Sequence, residues 1–186
     1  GSVMVGVVKF LRTRREEALE ELPEHLQHYM QERVWAASWY PEEDLVTLLR
    51  VLAKLFSQTQ PNTDIYEVIG TITANQHLTG VYEHMVKQQD PSALPLHLST
   101  LWSTQHDTGR LRVVRRGPRK MLLEITDYGH PTEEMCRIIT AYARESYRMM
   151  GIKSPQVTKA TCRMRGDPSC TWNITWTEAD GPDPKN

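Results

Sequence analysis

The sequence predicts an α+β fold: an N-terminal helical half packed on a four-stranded antiparallel sheet made of two hairpins joined by a long helix. Three observations predict it. Apolar residues recur at helical spacing through the first half of the chain, and alternating segments flank Gly117-Pro118. A second pair of short alternating segments flanks Gly166-Asp167-Pro168 near the end.

Val3 to Phe10 is short and rich in β-branched residues, and is expected as a strand. Glu16 to Gln31 follows with Leu19, Leu22, Leu26 and Met30 on one stripe, and Pro23 divides it into two helices. After Trp35 to Pro41, the run Glu42 to Phe56 places Leu45, Leu48, Leu49, Leu52 and Leu55 at helical spacing. A long helix is expected over Asp64 to Gln88, with Gly70 and Gly80 as small surfaces that let another backbone approach. Asp90-Pro91 opens the next helix, which runs to about His106. Strands are expected over Arg110 to Arg116, Lys120 to Thr126, Val157 to Arg165 and Ser169 to Trp176, with a helix from Thr132 to Met150 between the hairpins. One domain is expected over residues 1–178, with Gly1-Ser2 read as a cloning remnant, a natural protein that extends further, and residues 179–186 as a flexible tail.

Composition narrows the function. The 186 residues carry 22 basic and 23 acidic side chains, a formal charge of −1, which argues against the broad electropositive face of a nucleic-acid-binding protein. No run approaches the roughly 18 apolar residues of a membrane span. Nothing at the N-terminus resembles a secretory signal, so a cytoplasmic, reducing setting is expected. The sequence lacks a Gly-rich phosphate loop, a Gly-x-Ser-x-Gly elbow and a His-Glu-x2-His helix, and no enzymatic activity is expected.

The three cysteines, Cys136, Cys162 and Cys170, are positioned to meet, because the helix carrying Cys136 returns the chain to the second hairpin. Core or turn packing is the first expectation for them, a zinc site the second and a disulfide the third.

The stretch Cys162-x3-Gly166-Asp167-Pro168-x-Cys170-x-Trp172 resembles the ending of the 4-vinyl-reductase domains, a group related in fold to the haem nitric-oxide-binding domains and the TRAPP vesicle-tethering subunits. Ser38-Trp39-Tyr40-Pro41, and Leu101-Trp102 through Asp107-Thr108-Gly109-Arg110-Leu111, look like the sensory and scaffold domains of myxobacterial-type members. The resemblance implies a zinc held by three cysteines and an acidic residue three positions before the middle one. That position holds Lys159, an ammonium without a lone pair, so no cofactor is expected and zinc stays as the alternative. Haem is not expected either. The nitric-oxide sensors use a helical histidine and a Tyr-x-Ser-x-Arg motif, whereas Tyr142, Arg144, Ser146 and Arg148 stand out of that register. His77, His84, His97 and His106, all in predicted helices, are expected as surface or satisfied core residues.

The function expected is a non-catalytic sensory domain that binds a small, largely apolar ligand and signals to an attached or partner module. Trp102 and His106, one helical turn apart, are the pocket candidates. A homodimer through the apolar stripes of helices in the N-terminal half is expected, and the alternative function, implied by the TRAPP-like relatives, is a homodimerising or partner-binding scaffold that needs no ligand. A further alternative uses the Arg-rich first hairpin, where Arg112, Arg115, Arg116 and Arg119 are candidates for an anionic nucleotide. An anion bound there should weaken steeply with salt, and the Arg115→Ala, Arg119→Ala double variant should abolish its binding; unchanged affinity in a fluorescence titration removes the site.

Overall fold

Period decides the N-terminal segment against residue preference. In the computed structural model, which describes residues 1–80, 83 and 94–177, the segment is helix α1 (Ser2–Thr13) rather than the expected strand. Met4, Val7, Val8 and Leu11 are all buried, and their spacing is that of one helical face, which outweighs the strand preference of four valines. The chain divides into two compact units, Gly1–Ile65 and Tyr66–Asn186.

The first unit is helical. Helix α2 (Arg15–Glu21) stops before Pro23, with Leu22 extended as a residue preceding proline must be, and a 3-10 helix (Glu24–Met30) follows, so the predicted division holds. Helix α3 (Glu42–Thr59) opens with Glu42, Glu43 and Asp44, which complement its dipole. It packs on α1 and α2, and Leu48, Leu49, Leu52 and Leu55 are buried. Tyr29 donates to Asp44 at 2.8 Å, and Arg12 Nη2 donates to the Tyr29 carbonyl at 2.8 Å. The apolar stripe of α3 is thus covered within the unit. Trp35 and Trp39 stay exposed, with the Arg33 guanidinium 3.7 Å from the Trp35 ring centroid.

The second unit contains helix α4 (Ile65–Thr79, starting at the boundary), helix α5 (Leu94–Gln105), helix α6 (Glu133–Met149) and the sheet. The expected extension of α4 to Gln88, His84, the Asp90-Pro91 helix start and the tail fall wholly or partly outside the described residues. Strands β1 (Arg110–Gly117), β2 (Lys120–Thr126), β3 (Gln156–Thr161) and β4 (Ser169–Thr175) form an antiparallel sheet in the order β1-β2-β4-β3. The α+β class and the two hairpins joined by a long helix are those the sequence predicts. β3 is shorter than expected, because Arg163–Arg165 wind into a 3-10 turn that ends at Gly166 in the left-handed region. Thr132 opens α6 by accepting a bond from the Met135 N–H at 3.2 Å.

The core of this unit lies on one face of the sheet. Leu123, Ile125, Cys170, Trp172 and Ile174 face Cys136, Ile139, Ala143 and Tyr147 of α6, with Leu94, Leu98 and Trp102 of α5 in the same cluster. No helix among the described residues is long and apolar enough to cross a membrane.

Gly70 serves the close approach expected of it. A Cβ there would lie 2.4 Å from the Ile138 carbonyl oxygen and 2.8 Å from Ala141 Cβ, so α4 and α6 meet backbone to backbone. Gly80 differs: its nearest neighbour is the Gln76 carbonyl, in its own stretch of chain. Gly70→Ala should destabilise the fold by about 1–3 kcal/mol, read from chemical denaturation, because backbone cannot yield to the added methyl as a side chain could.

Candidate functional site

The second hairpin and α6 bring the three cysteines together. Cys136 lies on the first turn of α6, Cys162 follows β3 and Cys170 lies in β4; all are buried and in the thiol state. The Cys162 sulfur is 4.0 Å from that of Cys136 and 3.9 Å from that of Cys170, and all three lie within 4.8 Å of one another. Local chemistry fixes the turn between them. Asp167 accepts the Cys162 N–H at 2.7 Å, and the Arg165 N–H donates to the Cys162 carbonyl at 2.8 Å. Three sulfurs bound at about 2.3 Å to one tetrahedral ion would stand about 3.8 Å apart, so the donors need little rearrangement to share a thiophilic cation.

Lys159 belongs to this group. It sits opposite Trp172 in the β3–β4 register, and its ammonium lies 3.3 Å from the Trp172 ring centroid, a cation–π contact. Among the described residues, Lys159 Nζ and Tyr147 Oη are the buried side-chain polar atoms without a hydrogen-bond partner. Burial pushes the Cys136 thiol up to about 12, against the opposing charge of Lys159. For Cys162 burial also acts upward, but the Met164 backbone, the Lys159 charge and the other two thiols outweigh it, and its pKa falls below the ordinary value.

The pocket candidates come together, though on each other. The Trp102 and His106 rings stack at 3.8 Å between centroids and 10° between planes, and Tyr128 meets Trp102 edge-on at 5.1 Å. The Trp102 indole N–H donates to the carbonyls of Thr108 and Gly109 at 3.0 and 3.2 Å, which ties α5 to the start of β1. His106 lies one residue beyond the end of α5. The arginine candidates remain on the surface. Arg112 pairs with Glu124, and Arg115 Nε donates to the Gly117 carbonyl at 3.2 Å.

A polar network that the sequence did not indicate joins α4 to α6. Asn75 donates to Glu145 at 2.8 Å, and Arg148 grips the same carboxylate with bonds of 2.7 and 2.6 Å. Arg148, with help from Asn75, holds the Glu145 carboxyl below its ordinary range against the opposing effect of burial. His77 Nδ1 lies 3.3 Å from the Tyr142 hydroxyl. Arg148 and Glu145 are three residues apart on one helix, but Asn75–Glu145 and His77–Tyr142 are too far apart in sequence for any local pattern to announce them.

Compared with known proteins, the chain matches no family model and no curated protein. Its fold does match solved structures. An H-NOX protein from S. oneidensis in the Fe(II)NO ligation state is 13% identical with a TM-score of 0.62, over 95% of this chain and 98% of that one. The Fe(II) unliganded H-NOX protein from K. algicida is 8% identical with a TM-score of 0.65, over 96% of each chain. The H-NOX domain from Shewanella oneidensis in the Fe(II)CO state is 14% identical with a TM-score of 0.57, over 95% and 98%. At such identities the likeness defines the fold.

Two expectations are corrected by this finding. The resemblance to the 4-vinyl-reductase domains does not stand, because the matching structures are H-NOX domains. The hairpin motif that carried it records a turn closed by Gly166 and Asp167, a local geometry that does not fix a lineage. The dismissal of haem also falls, since it rested on motif register while the fold is one whose solved members are described in Fe(II) ligation states.

A haem iron would need an imidazole, and α5 carries one. His97 offers a half-buried imidazole on α5, between the buried Leu94 and Leu98. The residues weighed for the propionates are engaged elsewhere: Tyr142 with His77, Arg144 with Glu67, Ser146 with the Tyr142 carbonyl and Arg148 with Glu145. Any partners for the propionates must therefore be other groups.

Burial lowers the His77 pKa, so the unfolded chain takes up this proton at a higher pH than the folded protein does. The stability contributed by the neutral ring is complete above about pH 6.5 and is lost as pH falls through the depressed value. His77→Phe should accordingly flatten the decline of Tm between about pH 7 and about pH 5; an unchanged slope in calorimetry assigns the decline to other groups.

Proposed function

We propose that this chain is a non-catalytic sensory domain that holds haem on His97, binds a small gaseous ligand and passes the binding event to an attached or partner module. The supporting observation is the likeness to H-NOX structures over nearly the whole length of both chains. Haem, when bound, would supply an iron that can take a small gaseous ligand. The chain's own residues do the rest. His97 would give the electron pair of a helix-borne imidazole, and the buried Leu94 and Leu98 next to it in the helix would limit access of water. Trp102, five residues further along α5, grips the carbonyls at the start of β1, so a displacement of the helix is delivered to the sheet. A homodimer remains part of this reading, through a surface other than the covered α3 stripe.

Adding hemin to the purified protein should give one equivalent of bound haem with a Soret band. His97→Ala should weaken or shift that band, with added imidazole restoring it. A wild-type protein without a saturable Soret band overturns the proposal.

A second reading is favoured by a separate observation, the three sulfurs gathered within 4.8 Å. In it Cys136, Cys162 and Cys170 are ligands of a thiophilic cation that fastens α6 to the second hairpin.

A further inference from the structure

Resting on that second reading, the inference concerns Lys159, a buried cation whose strand pairs with the one that carries Cys170. Lys159 is the one cationic side chain whose nitrogen is buried without a hydrogen-bond partner among the described residues. An ammonium so placed has lost its water, and the Trp172 ring face replaces only part of that solvation. Lys159 stands on the cysteines' side of the sheet, because its cross-strand partner Trp172 shares a face with Cys170 two residues away in β4.

In the sequence Lys159 stands as an obstacle to a metal, since an ammonium has no lone pair to offer. The object that has to be buried, however, is the whole complex. Three thiolates around a divalent ion carry one net negative charge, and an isolated charge in a dry interior is costly. One adjacent ammonium cancels it. A fourth protein carboxylate would instead raise the buried charge to two negatives.

We propose that Lys159 is the buried counter-charge of a three-thiolate site, and that it selects a divalent thiophilic ion held by sulfur alone among the protein's ligands. Coordinate bonds form from the three sulfurs to the ion, and the thiol protons leave to solvent. Lys159 takes no part in the coordination. A monovalent ion would leave the complex net negative and a trivalent one net positive, so the lysine favours the divalent charge.

The experiment uses the full chain, reduced and stripped of metal. Co2+ and Cd2+ are followed by thiolate-to-metal charge-transfer absorption, and Zn2+ by competition with a chromophoric chelator. Wild type is expected to bind one ion per chain. Lys159→Met should weaken all three ions by about tenfold or more, because it leaves a buried charge unpaired. Lys159→Arg should bind close to wild type. Lys159→Gln is the second neutral variant if Lys159→Met does not fold, as judged by far-UV circular dichroism. A folded neutral variant that binds as tightly as wild type, or more tightly, overturns the role of Lys159 and leaves the thiolate site standing. A wild type without a charge-transfer band overturns the metal site itself.

Discussion

Trp172 is held on two sides, and the geometry of the second unit depends on that. It lies in β4, between β2 and β3 in the sheet, opposite Leu123 on one neighbour and Lys159 on the other. Its indole N–H donates to the Thr140 hydroxyl of α6 at 2.8 Å, and that hydroxyl donates in turn to the Cys136 carbonyl at 2.7 Å. An aromatic of this size, fully buried, would be badly placed with its N–H unpaired. The bond therefore fixes the rotation of α6 about its axis, and with it the face on which Cys136 meets Cys162 and Cys170. The cluster follows from where Trp172 must put its N–H.

Much of this was legible in the sequence, for local reasons. Gly117-Pro118 and Gly166-Asp167-Pro168 mark turns by backbone chemistry that hardly depends on context, and both hairpins form. The convergence of the cysteines follows from one helix returning to the hairpin. α1 was misread because its valines favour a strand while the spacing of Met4, Val7, Val8 and Leu11 asks for a helix. There burial of a face outweighs the preference of single residues. Lys159 carried a readable signal that was overlooked: it shares the face of Val157, and alternation from that buried valine points it inward.

The rest was hidden because it is long-range. Asn75 and Glu145 are separated by 70 residues, and neither lies in a pattern that names the other. The likeness of fold to solved structures was hidden differently. A hairpin motif constrains the few residues that make a turn, so unrelated pressures can arrive at it, whereas a match of fold spans nearly every element.

Two indole bonds organise the second unit in the same manner. Trp102 binds carbonyls at the entrance to β1, and Trp172 binds a hydroxyl on α6, so α5 and α6 are each fastened to the sheet through one indole N–H inside an apolar contact. Apolar packing alone tolerates small sliding, because it has little directional preference. A buried N–H bond does not, since slipping by a fraction of its length leaves a polar group unpaired. His97 on α5 and Cys136 on α6 thus stand on elements whose displacement the sheet must follow, and β1, β2 and β4 are neighbours in it. A change imposed at either residue reaches the same hydrogen-bonded strands by a stiff route.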